Sequence, residues 1–405
     1  MKNKAQHGTM TAHSTISRRA FVREAGACTL AGSSLILGVA CFEHEQRPPS
    51  RMETNIGDFM KVPRTPHSLP GPFPGRVVKV RDPYSLIEDQ FDPAVISQMF
   101  EKGISGLSGR NLAESFNLFF DRNDVIGIKV NPTGAPLIST RLELVDAVVA
   151  WLIRNGIPKQ NIVIWDRFDY ELSDAGFTGA RFPGIQIEGL QTMDQKGNRW
   201  RDANGVHLSA GNFDRNVYYR VSGLSGRNVR EYPNDDSYLN QNVFNDDCSY
   251  FGKLVTRRLT KIINLGTYKN TGSGIAMATK NMGYGSICNT ARLHDPLFFT
   301  VCTEVLAAPV IRDKLVLNIT DGIRGQYDGG PYGNAQFIFP NHSLYFATDP
   351  FALDMVCHRE MVDKRKEVGR PMNEHPRYTE YLHYAETLGL GIANVDKIEV
   401  ARIEV

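Results

Sequence analysis

Residues 125–166 read VIGIKVNPTGAPLISTRLELVDAVVAWLIRNGIPKQNIVIWD, which predicts a strand, a helix and a second strand in succession. Val125–Val130 and Ile162–Trp165 are apolar runs of strand length. Between them, apolar residues recur at helical spacing over Arg141–Asn155, and Gly156 occupies the position expected for a C-terminal helix cap. This order predicts two parallel strands joined by a right-handed crossover.

The same alternation of strands and helices continues on both sides of this unit. Further strands are predicted at 76–80, 261–265, 315–319 and 344–348, and further helices at 93–102, 111–119, 273–282 and 351–361. Residues about 184–258 are instead rich in Asn, Asp, Gly, Arg and Tyr. We therefore predict an α/β protein whose mostly parallel sheet is built from two α/β halves, with a β-rich or irregular insertion at about 184–258 between them.

The N-terminus carries an export pattern. Arg18 and Arg19 precede Phe21 and a mildly apolar stretch, Ala25–Ala40, that is too short and too rich in glycine and serine to span a bilayer. Residues 1–40 are thus predicted to be a removable twin-arginine signal, read by the twin-arginine translocase, and an ordinary N-terminal helix is the alternative. The protein is expected in the periplasm or outside the cell. A lipid anchor at Cys41 is a minor alternative.

Residues 41–74 are predicted to be a linker, because seven prolines between 48 and 74 fix φ and remove backbone donors. The folded domain is then 75–405. The net charge is +2 for the whole chain and +4 for residues 1–40, so the rest carries about −2. This balance argues against nucleic acid as a partner. No segment of the mature chain is long and apolar enough to span a membrane.

Four cysteines follow the signal region: Cys248, Cys288, Cys302 and Cys357. None forms a C-x-x-C pair, so there is no iron–sulfur or zinc motif. Disulfides and buried free thiols are both compatible with their spacing.

Polar residues at or just beyond the predicted strand ends suggest a functional site. Open α/β sheets bind ligands at the carboxyl ends of their strands. The residues at or just past such ends are Lys129, Asn131, Asp166, Lys269, Asp321 and Asp349. Lys129, Asn131, Lys269 and Asn281 are candidates to bind a small anionic ligand, because lysine supplies charge and asparagine supplies both donors and acceptors. The alternative for each lysine is a solvated surface position.

Catalytic roles are predicted for His294, Asp321 and Lys280, and a divalent metal could bind Asp321 and Asp349. The alternative for Asp349 is a helix cap. The specific expectation is one concave pocket that holds the side chains of Lys129, Lys269, Asp321 and Asp349, with Lys280 or His294 at its edge.

Several motifs between residues about 75 and 360 resemble the family that carries domain of unknown function 362. They are Ile128–Asn131, Ile263–Leu265 with Lys269, Ala278–Asn281, Asp321-Gly322, Gly329–Pro331 with Gly333, and Ala347–Asp354. The resemblance implies an α/β domain. Many members have a threonine and a histidine after the lysine, where this chain has Asn270-Thr271, and some carry ferredoxin-like cysteine clusters that this chain lacks.

The favoured interpretation is an exported enzyme that acts on an anionic small molecule through a lysine- and aspartate-lined site, with metal assistance as an option. Two alternatives stay open. One is a non-catalytic binding protein for an anionic solute, and the other is a redox protein loaded with its cofactor before export.

Overall fold

The computed structural model describes residues 52–405, apart from 198, 226–240, 272–273, 276, 295–296, 298 and 372–377. The predicted signal at 1–40 lies outside the described residues. The main sheet contains, in spatial order, β13 (Glu399–Glu404), β1 (Arg76–Arg81), β12 (Ile338–Ala347), β11 (Leu315–Gln326), β9 (Lys261–Thr271), β4 (Ile126–Lys129), β5 (Ile162–Phe168) and β6 (Gln186–Gln191).

Parallel pairing dominates this sheet. Only β12 runs antiparallel to its neighbours on the path, while the pairs from β11 through β9, β4 and β5 to β6 are all parallel. A short strand, β10 (Gly274–Ile275), pairs antiparallel with the end of β9. Two small sheets pair β2 (Leu86–Ile87) with β3 (Gln90–Phe91), and β7 (Phe213–Arg220) with β8 (Cys248–Gly252). The predicted α/β fold with a mostly parallel sheet is confirmed.

Helices cover both faces of the main sheet. They are α1 (Ile56–Lys61), α2 (Pro93–Ser108), α3 (Leu112–Phe119), α4 (Leu142–Arg154), α5 (Asp169–Asp174), α6 (Ala278–Gly285), α7 (Thr300–Ala307), α8 (Pro309–Arg312), α9 (Pro350–Glu367) and α10 (Glu380–Thr387). In β5, Ile162 and Ile164 belong to the hydrophobic cluster that contains α2, α3 and α4. Val163 and Trp165 belong to the cluster that contains α7, α8 and α10. The alternation shows that β5 is buried on both faces, as parallel strands of α/β proteins are.

The order of the strands places a switch in topology at the centre of the sheet. From β4 the chain passes through α4 to β5 on one side, and from β9 it passes through α6, α7 and α8 to β11 on the other side. The carboxyl ends of the adjacent strands β4 and β9 therefore flank a topological switch point. Such a point is the usual position of a ligand site in an open α/β sheet.

Two strands extend further than their apolar residues indicate. β9 continues to Thr271 and β11 to Gln326, so Lys269 and Asp321 lie within strands rather than beyond them. The polar extensions remain in the sheet because β9 pairs with both β10 and β11, and β11 pairs with β12 as far as Gln326. The helix expected at 273–282 begins only at Ala278.

The insertion expected at about 184–258 begins inside the main sheet. Residues 186–191 form the edge strand β6, which pairs parallel with β5. The described residues that follow contain the β7–β8 pair, so the β-rich character belongs to this later part. The segment 226–240 lies outside the described residues.

Residues 52–74 pack on the core, although their prolines predict an irregular linker. They contain the short helix α1, and both Phe59 and Leu69 are buried. The guanidinium of Arg312 donates to the carbonyl oxygens of Phe59, Val62 and Pro63. Prolines prevent a sheet ladder here, but they leave carbonyl acceptors and apolar side chains available for packing.

All four cysteines in the described part of the chain are free thiols, and Cys288, Cys302 and Cys357 are buried. None of the helices described has the length and apolar character that a bilayer-spanning segment needs.

Candidate functional site

A partly open cavity of about 180 Å³ lies at the switch point, where β4, β5 and β9 approach their carboxyl ends. A single water needs only ~10–15 Å³, so the cavity has room for a small organic molecule. Its lining includes six side chains that the sequence singled out: Lys129, Asn131, Lys269, Lys280, Asn281 and His294. The structure thus brings these residues together, and the roles predicted for them stay predictions.

Lys129, at the end of β4, is held by three acceptors. Its Nζ donates to Val130 O at 2.8 Å, to Asn281 Oδ1 at 2.8 Å, and to Asp166 in a buried salt bridge. Three acceptors use all three hydrogens of an ammonium group. Burial lowers the pKa of Lys129, and the Asp166 carboxylate opposes this shift. Gly285 provides the space, because a Cβ there would collide with Lys129 Cε.

Lys269 has a different environment, in which both acceptors are neutral. Its Nζ donates to Asn131 Oδ1 at 2.9 Å and to Thr133 O at 2.5 Å. Burial lowers the pKa of Lys269 to about 7, with the charge of Glu171 opposing the shift and that of Lys280 adding to it. This lysine can therefore gain or lose a proton near neutral pH.

Lys280 projects from α6 into the same cavity. Its Nζ donates to Thr271 Oγ1 at 3.1 Å and lies 5.9 Å from the ring centre of Tyr284. Burial lowers the pKa of Lys280 to about 8, against ~10.4 for an exposed lysine. The group is still mostly cationic at pH 7.

His294 also lines the cavity, and its ring lies against that of Tyr284 with the two centres 4.5 Å apart. Its Nδ1 is 3.0 Å from Thr290 O, which can only accept, so Nδ1 carries the hydrogen. Burial lowers the pKa of His294 to about 3. The imidazole is therefore neutral at physiological pH and is a poor source of a proton.

A chain of buried amides fixes Asn281, the residue that binds Lys129. Asn281 Nδ2 donates to Asn264 Oδ1 at 2.8 Å, and Asn264 Nδ2 donates to Asn318 Oδ1 at 2.9 Å. Asn318 Nδ2 then donates to Thr348 O at 3.1 Å. The chain connects α6, β9 and β11, so the packing of three elements sets the position of the Lys129 ammonium.

Asp321 and Asp349 do not line the cavity, so the predicted cluster of two lysines and these two aspartates does not form. Asp321 accepts from the backbone N–H of Arg141, just before α4, and from that of Ile323. Asp349 is the N-cap of α9, which agrees with the helix-cap interpretation of this residue rather than with metal binding. The carboxylates are occupied by backbone donors because both sit beside helix N-termini.

The described residues hold no group of three or more His, Cys, Asp or Glu side chains arranged to bind a metal ion. Asp354, near Asp349 in sequence, accepts from the N–H groups of Ala278 and Thr279 at the start of α6. Burial raises the pKa of Asp321, Asp349 and Asp354 to about 6 in each case.

Among the described residues, the carboxyl groups that line the cavity are Asp166 and Glu171. Asp166 lies in β5, and its position at the end of an apolar run is visible in the sequence. Glu171, on α5, accepts from Thr133 Oγ1 at 2.7 Å, and burial raises its pKa. Nothing in the sequence singles out Glu171 or Arg167, apart from their closeness to Asp166.

Among the described residues, the lining has more basic than acidic groups. Its carboxyl groups are Asp166 and Glu171, and its basic groups include Lys129, Arg167, Lys269 and Lys280. Asp166 is paired with Lys129. The described lining therefore offers more positive than negative charge when these groups are ionised.

No curated protein matches the chain in a sequence comparison. A family model does match residues 214–359, a range that contains Lys269, Lys280, Asn281 and His294 but not Lys129 or Asp166. This match supports the family resemblance that the motifs indicate. Over residues 214–359, the chain matches the family described as Domain of unknown function (DUF362).

Proposed function

We propose that the cavity binds a small anionic molecule and that the protein is an enzyme acting on it. The observation that carries this proposal is the set of basic side chains around a cavity that is open to solvent: Lys129, Arg167 and Lys269 are buried, and Lys280 is partly buried. Cationic groups held away from water attract an anion, because opposite charges compensate each other there. A bound anion favours the protonated form of the lysine that holds it.

Lys269 is the residue that favours catalysis over binding alone. A pKa of about 7 lets a group donate and accept protons at neutral pH, which general acid–base catalysis requires. A protein that only binds an anion would gain more from a lysine that is always charged. In this proposal Lys280 and Arg167 hold the anionic group, and Lys269 moves the proton.

The pH dependence of anion binding tests this proposal. Affinity for lactate, measured by isothermal titration calorimetry, should fall as the pH rises through about 8, where Lys280 loses its proton. The fall should be at most about tenfold per pH unit for each proton required. Lys280→Met should weaken binding, whereas Lys102→Met, at an exposed position on α2, should not. If neither lactate nor inorganic phosphate binds at pH 6, the proposal is refuted.

We also propose that the chain is exported through the twin-arginine route. The support is the sequence pattern of Arg18, Arg19 and Phe21 before the Ala25–Ala40 stretch. Replacing both arginines by lysine keeps the charge but removes the guanidinium groups that a receptor reads. The precursor should then accumulate in the cytoplasm, as measured by cell fractionation and immunoblotting. Unimpaired export of the double variant would contradict this route.

A further inference from the structure

We propose that Lys269 is a nucleophile that forms an imine with the carbonyl group of a small 2-oxo acid. This inference rests on the proposed function, because it requires that the cavity bind the carboxylate of that acid. It adds the class of substrate and assigns a covalent step to one residue.

The hydrogen bonds of the two lysines distinguish their protonation states. Lys129 has three acceptors, one of them a carboxylate, which suits an ammonium group. Lys269 has two acceptors among the described residues, and both are neutral oxygens. A neutral amine has two hydrogens and one lone pair. If both hydrogens are donated to Asn131 and Thr133, the lone pair is left for an electrophile in the cavity that Lys269 lines.

Burial favours the neutral form of Lys269, with the charges of Glu171 and Asp166 opposing this shift and those of Lys280 and Lys129 adding to it. Facing Lys269 are Lys129 on β4, Lys280 on α6, Asp166 on β5 and Glu171 on α5. Desolvation and neighbouring cations are the two ways in which proteins activate a lysine amine. Because the pKa of Lys269 is about 7 and that of Lys280 is about 8, a neutral amine and a cationic anchor coexist between those values.

The proposed step balances with groups that line the cavity. The amine nitrogen of Lys269 attacks the carbonyl carbon, so a C–N bond forms as the C=O π bond breaks. One amine hydrogen moves to the oxygen, which gives a carbinolamine. The hydroxyl group of the carbinolamine then takes a proton from Glu171 and leaves as water. Burial raises the pKa of Glu171, which makes this carboxyl a better proton carrier than an exposed one. A proton then leaves the iminium nitrogen and returns to Glu171, and the net change is amine plus carbonyl to imine plus water.

Reductive trapping tests the assignment. The full chain is incubated with pyruvate and sodium cyanoborohydride, digested, and analysed by mass spectrometry. We expect one adduct, on the peptide that contains Lys269, with the added mass of the acid less one oxygen atom. Its yield should rise as the pH increases through about 7, because the free amine reacts, and should fall above about 8, where Lys280 loses the proton with which it holds the acid. Lactate, which has no carbonyl group, serves as the matched control acid and should give no adduct.

Two variants make the result specific. Lys269→Arg keeps a cation at the position and cannot form the imine, so it should give no adduct while its circular dichroism shows a folded protein. Lys102→Met removes an exposed lysine on α2 and should be labelled like the wild type.

Three results would overturn the inference. An adduct on Lys129 or Lys280 would assign the nucleophile elsewhere. No adduct, while pyruvate and lactate both bind by calorimetry, would reject the imine and leave the anion-binding function intact. No adduct and no binding of either acid would reject both proposals.

Discussion

Lys129 and Lys269 have the same side chain and different chemistry, because their acceptors differ. A carboxylate and two carbonyl oxygens hold Lys129 as an ammonium group, whereas Lys269 has two neutral acceptors and burial lowers its pKa to about 7. Lys129 is therefore expected to organise the site, and Lys269 to react in it. This difference between the two lysines determines the expected effect of substituting each of them.

Lys129→Met should destabilise the fold strongly. The change leaves Asp166 buried without its cation, and breaking a buried pair from one side costs about 3–5 kcal/mol. Urea denaturation measures the free energy of unfolding. Combining Lys129→Met with Asp166→Asn should restore part of the loss, because no uncompensated charge remains. A loss as small as that of the exposed control Lys102→Met, within about 0.5 kcal/mol, would show that the pair contributes nothing.

At this scale the sequence predicts which lysines meet, but not which carboxyl groups they meet. Lys129 and Lys269 could be placed together because both lie near the carboxyl ends of apolar strands. Asp321 has the same kind of position, yet its side chain binds the N–H of Arg141 at the start of α4. A strand exposes its side chains alternately on two faces, and the sequence of β11, whose residues are all buried, does not show which face holds the cavity.

Among the elements, α9 shows how one aspartate can fix several segments. Asp349 accepts from Phe351 and Ala352 at the start of this helix, and also from Gly75 before β1 and Ile392 near the C-terminus. Four backbone donors from three segments converge on one carboxylate. Asp349 is thus a structural residue, as the cap alternative predicts.

Asp349→Ala should therefore lower the stability without changing anion binding. Loss of an N-cap costs about 1 kcal/mol, and the two additional bonds to a carboxylate raise the total to about 2 kcal/mol or more. Thermal denaturation measures the loss, and titration with lactate measures the site. Asp328→Ala, which removes a carboxylate that pairs with Arg365 and Arg370 near the surface, is the comparison. If Asp349→Ala keeps its stability but loses anion binding, Asp349 belongs to the functional site instead.

Strand lengths could be predicted only where apolar residues mark them. β9 was identifiable from its apolar start, but its last residues, Thr267–Thr271, are polar and still buried. They stay in the sheet because β10 and β11 satisfy their backbone groups, which is a tertiary effect. Lys269 lies in this polar half, so the part of β9 that builds the site is the part that the pattern leaves out.

For the whole molecule, the strand order explains why distant sequence segments form one site. Lys129, Asp166 and Lys269 are separated by many residues, yet β4 lies between β5 and β9 in the sheet. The crossover from β4 to β5 could be predicted from residues 125–166. The position of β4 beside β9 could not be predicted, because it depends on pairing between the two halves of the chain. The sequence contains no local signal for that pairing.

The N-terminal segment 52–74 gives a final prediction at this scale. Phe59 and Leu69 are buried, and burial of each such side chain is worth ~1.5–3 kcal/mol. Without the segment, the buried guanidinium of Arg312 would lose three carbonyl acceptors. A chain that begins at Phe73 keeps the Gly75 N–H for Asp349 and should still unfold at a clearly lower temperature than one that begins at Met52.

The cause can be separated from chain length with point variants of the chain that begins at Met52. Leu69→Ala should lose about 2–5 kcal/mol, as buried leucines do, whereas Lys61→Ala, exposed on the same segment, should change little. Equal unfolding temperatures for the two chain lengths would show that the contacts contribute no net stability. The segment would then be the dispensable linker that its prolines predict. Because Leu69 is buried and donates its N–H to Arg312 O at 2.8 Å, at the end of α8, we expect the opposite result.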